Sequence, residues 1–197
     1  MAVLLFLLSL SLTFPLEKLE KLLRTTQTVK VGFTQKTSYD WFPKEEISRG
    51  VFYASRNGKF RLEYYAPERV TVVSDGRTVV VLNHDEKTVF TERFNARGEL
   101  LYGLFVAERP LNELFELTAH LKKDGREVFV LKPKRDETVR EVKLVLKGDE
   151  PERLVILYGD GGKTVFEITE FKRNFEPTEE LFKIELPEGY RVQQYGD

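Results

Sequence analysis

Hydrophobic and polar positions alternate with a period of two over most of the chain. The pattern is clearest from Gly50 to Val81, GVFYASRNGKFRLEYYAPERVTVVSDGRTVVV. Phe60, Leu62 and Tyr64 alternate there with Lys59, Arg61 and Glu63, which marks an antiparallel strand with one buried face. Asn57-Gly58 and Asp75-Gly76 bracket this strand. Both dipeptides favour two-residue hairpin turns. From Thr78 to Leu82 the chain is apolar on both faces, so one face of the meander must be covered by something more than a solvated edge. Arg56 stands just before the first turn, and by residue type alone it is a solvated turn arginine.

Further strands follow the same logic. Val29, Val31 and Phe33 share one face of a strand from Thr28 to Thr37, and another strand runs from Arg49 to Ser55. Between them lies Ser38 to Glu46, which holds Pro43, an acidic pair, Trp41 and Phe42. That composition predicts a loop. Its two aromatic side chains are expected to pack back on the core, with contact to a partner as the alternative. After Thr88 to Glu92, strands resume at Glu127 to Lys132, Arg140 to Lys147, Arg153 to Tyr158, Lys163 to Phe171, Phe182 to Leu186 and Tyr190 to Val192. Gly159-Asp160-Gly161-Gly162 joins two strands. It precedes no helix, so it reads as a turn rather than a phosphate loop.

Two segments depart from this period. Leu16, Leu19, Leu22 and Leu23 form one stripe of a short helix, supported by Glu17–Lys21 and Glu20–Arg24 pairs at i,i+4. Leu100 to Val106 is apolar nearly all round, and Pro110 opens a second helical pattern with Leu111, Leu114 and Phe115. This second helix is expected to end at His120. A buried Pro-started pair of helices inside an all-β pattern suits a lid or plug. The fold class predicted is mainly β (α+β): about eleven antiparallel strands in a sheet that must curl or close. Phe60, Leu62, Leu101, Leu104, Phe105, Phe115, Leu144 and Ile156 are expected to line an apolar cavity beneath the helices.

Residues 1–14, MAVLLFLLSLSLTF, are shorter than the roughly 20 apolar residues of a membrane span. They read as a secretory signal peptide, although no Lys or Arg precedes Lys18. A buried N-terminal core segment is the alternative. Residues 15–197 would then form a single domain.

Composition narrows the chemistry. Net charge is −1, from 31 basic and 32 acidic residues, which gives no field for nucleic acid. With no cysteine there is no disulfide, thiolate metal site or lipidated cysteine. His84 and His120 are far apart in sequence and lack the clustered ligands of a metal site. G-x-S-x-G, H-E-x-x-H and the P-loop are all missing. Ser74, Asp75 and His84 are poorly placed for a triad, since they belong to adjoining turns of a meander. Neither catalysis nor a cofactor is expected.

The residues resemble a family. Val31-Gly32-Phe33-Thr34-Gln35-Lys36, Gly50-Val51-Phe52-Tyr53 with Arg56 and Phe60, Val73-Ser74-Asp75-Gly76-Arg77-Thr78, and FKIELPEGYRV over Phe182 to Val192 are similar to segments of the bacterial outer-membrane lipoprotein carriers, LolA. Order and spacing agree over nearly the whole chain. The resemblance implies an unclosed β-barrel with a helical lid over a hydrophobic cavity. It implies a periplasmic chaperone that takes acylated lipoproteins from an inner-membrane ATP-driven transporter and hands them to an outer-membrane receptor. It also implies a monomer, and an inward arginine at Arg56 that bonds lid backbone carbonyls in the closed, empty form. Asn57 stands where the family often has Pro, and the Trp41–Phe42 segment is more aromatic than the family's. The receptor of that pathway is anchored through an N-terminal Cys, so a chain without cysteine is expected to be the carrier. Alternatives are a carrier of another amphiphile, such as a glycolipid or hopanoid-type lipid, an adaptor sensing mislocalised lipoproteins, and a lipid hydrolase.

Overall fold

The computed structural model describes residues 15–93, 102–106 and 109–193. The signal-peptide expectation and Leu101 lie outside these residues. Helix α1 (residues 15–24) leads into β1 (Thr28–Tyr39), β2 (Phe42–Ser55), β3 (Lys59–Ala66), β4 (Val70–Asp75), β5 (Thr78–Asn83) and β6 (Thr88–Arg93). A helical turn at residues 102–106 and the one-turn α2 (Leu111–Leu114) precede β7 (Phe115–Lys123). The chain continues through β8 (Arg126–Pro133), β9 (Val139–Lys147), β10 (Glu150–Tyr158) and β11 (Gly162–Arg173) to the short β12 (Arg191–Gln193).

All twelve strands belong to one sheet, ordered β12-β6-β5-β4-β3-β2-β1-β11-β10-β9-β8-β7. Each neighbour is antiparallel except β12, which runs parallel to β6. β7 and β12 are the two edges and do not pair with each other, so the curled sheet is unclosed. Hairpins make up most of the connectivity because tight turns recur between the alternating segments. The β1–β11 pairing is the long-range closure that joins the two arms.

The main core lies on the inner face. Leu19 and Leu23 of α1 pack with Val29 and Val31, with Phe60, with Phe129 and Leu131, and with Leu144, Leu154 and Ile156. The helix thus puts its leucine stripe against both arms of the sheet. On the opposite face Val73, Val80, Leu82 and Val89 form a smaller cluster, covered by Ile184 and Tyr190 of the C-terminal segment. This two-sided cover explains why the Thr78 to Leu82 stretch is apolar on both faces.

Four local expectations need correction. The helix begun at Pro110 stops after Leu114, and His120 lies within β7. Phe115 and Leu117 are buried while Glu116 is exposed, so the segment alternates as a strand and pairs with β8. The loop expected from Ser38 to Glu46 shrinks to residues 40–41: Ser38 and Tyr39 end β1, and residues 42–46 belong to β2. Phe42 and Glu46 to Ser48 pair with β1, Pro43 to Glu45 fall in the register shift between them, and the segment runs past the end of β3, whose pairing with β2 reaches only to Arg49. Pro43 is tolerated because that flank is a free edge. Phe182 to Leu186 is not a strand: Glu179–Phe182 is a 3-10 turn. Finally, the first hairpin turn has three residues, 56–58, between β2 and β3. Positive φ falls on Gly58 (77°) and Gly76 (96°), not on Asn57 or Asp75.

Candidate functional site

Strand register builds an apolar row across one arm of the sheet. Val31 faces Phe52, Phe52 faces Leu62, Leu62 faces Val72, Val72 faces Val81 and Val81 faces Phe90. At about 4.8 Å per strand, Phe52 to Phe90 spans roughly 19 Å. Val31 is buried, but the five residues from Phe52 to Phe90 are only half-buried. They lie on the same face as Phe60, which packs in the main core. The row is thus a partly uncovered continuation of the core surface.

Helical cover closes the row at its inner end. The Phe105 ring lies 5.8 Å from that of Phe52, and Phe52 lies 6.1 Å from Phe60. Tyr102, Leu104, Phe105 and Val106 are all buried in the same cluster as α1. Of the residues expected to line a cavity, Phe60, Leu104, Phe105, Phe115, Leu144 and Ile156 come together in this cluster. Leu62 is half-buried in the adjoining row. The sequence reading missed Phe52, Val72, Val81 and Phe90. Their signal was available in the register set by the two glycine turns.

The rim is polar. The Arg56 amide donates to the Gln27 carbonyl at 2.8 Å, and its guanidinium donates to the carbonyl of Arg24. Arg24 is the last residue of α1, so a cation sits on the negative end of that helix. The resemblance implied lid carbonyls as acceptors, and among the described residues the acceptor is this helix terminus. Beside it the Tyr102 hydroxyl donates to the Ser55 carbonyl at 2.6 Å and accepts from the Gly58 amide at 3.1 Å. This contact was not foreseen, because Tyr102 reads simply as one more large residue of an apolar segment.

The other end of α1 is held electrostatically. Lys18 Nζ lies 2.7 Å from Glu127 Oε1, and His120 Nε2 lies 3.1 Å from Glu127 Oε2. These partners, the Lys18 ammonium first, hold the Glu127 carboxyl down at about 2. Further along the inner face the Tyr64 hydroxyl donates to Gln35 Oε1 at 2.8 Å. Burial pushes its phenol up to about 12.

Trp41 and Phe42 do not pack back on the core. Trp41 is 70% exposed and Phe42 42% exposed at the free end of the β1–β2 arm. There, among the described residues, the Trp41 ring contacts those of Tyr39, at 5.2 Å, and Phe42, at 6.1 Å. His84 is engaged away from any triad: it bonds Thr71 Oγ1 and the Tyr190 hydroxyl, each at 2.8 Å. Ser74 Oγ accepts from the Gly76 amide. This network fastens the C-terminal segment to the outer cluster.

Comparison with known proteins agrees with the geometry. The family model described as outer membrane lipoprotein carrier protein LolA matches residues 24–185. An outer-membrane lipoprotein carrier protein of Halorhodospira halophila is 31% identical over 186 residues, covering 91% of this chain and 85% of its own. One of Chromohalobacter salexigens is 27% identical over 183 residues, covering 91% and 87%. Among solved structures, an uncharacterized conserved protein of Thermus thermophilus superposes with a TM-score of 0.59 at 20% identity, covering 94% of this chain and 99% of that one. A LolA superfamily protein of Nitrosomonas europaea gives 0.53 at 14% identity, covering 88% and 97%. At these identities the two structures speak for the fold alone.

Proposed function

The chain belongs to the LolA family of outer-membrane lipoprotein carriers, and on that footing we propose that it is a periplasmic chaperone for acylated lipoproteins. It takes them from an inner-membrane ATP-driven transporter and delivers them, as a monomer, to an outer-membrane receptor. The observation that carries this reading is the half-buried row from Phe52 to Phe90, continuous with a core roofed by α1 and the 102–106 turn. An acyl chain laid along that row exchanges water for apolar side chains, worth about 0.8 kcal/mol per CH₂. No covalent step is required, so the function needs only a container and a way to open it.

In this reading the structure is the closed, empty form. Phe60, Leu104, Phe105, Phe115, Leu144 and Ile156 fill one another's space, and loading separates the helical cover from the sheet. Leu62 belongs to the same lining. Arg56 is a latch that favours the closed form by holding the end of α1. The exposed Trp41 and Phe42 offer a contact to the partner that supplies or receives cargo. Trp41→Ala should accordingly slow transfer to receptor-bearing vesicles while leaving lipid binding unchanged; equal transfer would remove that contact.

The direct test is mass spectrometry of whatever co-purifies with the chain from a native envelope extract. Diacyl or triacyl lipoproteins are the expected cargo. A glycolipid or hopanoid-type lipid in their place would keep the container and change its cargo. A chain that emerges with no amphiphile, and that takes none from vesicles, would contradict the proposal.

A further inference from the structure

The turn between β2 and β3 is gripped by two separate covering segments. Arg56 at its start reaches α1. The backbone groups on either side of Arg56, the Ser55 carbonyl and the Gly58 amide, are both taken by one side chain, the Tyr102 phenol. Tyr102 is only 4% exposed. Its carbonyl accepts from the amides of Phe105 (3.1 Å) and Val106 (2.9 Å), so its position is rigidly coupled to the turn that carries Phe105 over Phe52. The phenol thus joins the covering turn to the sheet at the point where the apolar row begins.

We infer that Tyr102 is the positioning residue that holds the 102–106 turn shut on the β2–β3 hairpin, and that acyl cargo enters only when this hydroxyl lets go. The inference rests on the carrier reading above. A buried hydroxyl bonded on both its donor and acceptor sides leaves two orphaned backbone groups when it is removed, and only in the closed form. In the open form the Ser55 carbonyl and Gly58 amide meet water. Loss of the hydroxyl therefore raises the closed state selectively, and a ligand of the open state gains affinity. A tyrosine that merely completes the core behaves otherwise: its loss lowers stability and leaves affinity level or lower.

The test is Tyr102→Phe, which keeps the ring that fills the core. Two readouts are taken on the full chain. Amide exchange at Gly58 in the ligand-free protein should speed up, because its acceptor is gone. Binding of Nile red should tighten by roughly tenfold even as the unfolding temperature drops. Nile red affinity that is unchanged or weaker overturns the inference. Should wild type bind no dye at all, the carrier reading falls, and exchange at Gly58 still decides the contact: faster exchange keeps Tyr102 as the clasp of the turn, and unchanged exchange removes it.

Discussion

Gly58 and Gly76 lie face to face: a Cβ on Gly58 would stand 3.2 Å from the Gly76 Cα. The β2–β3 and β4–β5 turns, which lie at the same end of the β3–β4 hairpin, are thereby pressed together. Asp75 Oδ1 braces the second turn by accepting from the Arg77 and Thr78 amides, each at 2.9 Å. Those donors hold the Asp75 carboxyl below its ordinary range.

Gly76→Ala should therefore be costly. The residue has φ near 96°, and its new Cβ would meet the Asn57 carbonyl oxygen at 2.9 Å. Strain and clash together should remove about 1–3 kcal/mol of stability, read from urea unfolding. An unchanged midpoint would mean that the two turns are free to part.

Arg56→Leu should bind amphiphile more strongly and pass it on less well. The charge-assisted bond to the Arg24 carbonyl contributes about 1.5–3 kcal/mol where it is formed, less the discount for a partly exposed group. On the proposed latch, only the closed form has it, so its loss favours the filled one. The check is to load wild type and variant with the same lipoprotein and follow transfer to the outer-membrane receptor. Equal retention and equal transfer would return Arg56 to the role of a solvated turn residue.

Acid should loosen the N-terminal helix through Glu127. Its folded-state carboxyl lies at about 2, below its ordinary value of 4.5, chiefly through the bond to Lys18. The sign follows: the stabilisation is complete above about 4.5 and is lost as the pH falls from there through about 2. Glu127→Gln should be less stable than wild type at pH 6 and should show a flatter loss between pH 5 and 2. Amide exchange over residues 15–24 would locate the change. Parallel pH profiles for the two proteins would show that Glu127 contributes nothing to holding α1.

Much of the fold was legible because the turns and alternation agree. The glycine turns and the Phe60, Leu62, Tyr64 period placed β3 and β5 correctly. Failures occurred where a local pattern admits two structures. Leu111, Leu114 and Phe115 have helical spacing, yet Phe115 and Leu117 also have strand spacing, and pairing with β8 decided between them. Phe182 and Ile184 alternate with Lys183 and Glu185, but Phe182 is buried at the end of a 3-10 turn and Ile184 packs on the outer cluster, neither in a strand. Neither the α1 carbonyl under Arg56 nor the turn groups under Tyr102 has a sequence signature. Both are backbone acceptors or donors brought close only by tertiary packing.

The central claim, that acyl chains lie on the inner face of the sheet, is tested most directly at Leu62. Its half-burial lets a carboxylate there stay hydrated in the empty protein, so Leu62→Glu should fold. A bound hydrocarbon would strip that water and leave the charge unpaired, at a cost of several kcal/mol. Leu121→Glu, at a residue 58% exposed on the edge strand β7, is the control. The measurement is Nile red binding and its displacement by a diacylated lipopeptide. Wild type and Leu121→Glu should bind dye and release it to the lipopeptide, while Leu62→Glu should bind neither. Dye binding and displacement by Leu62→Glu at the wild-type level would contradict the placement of the cargo.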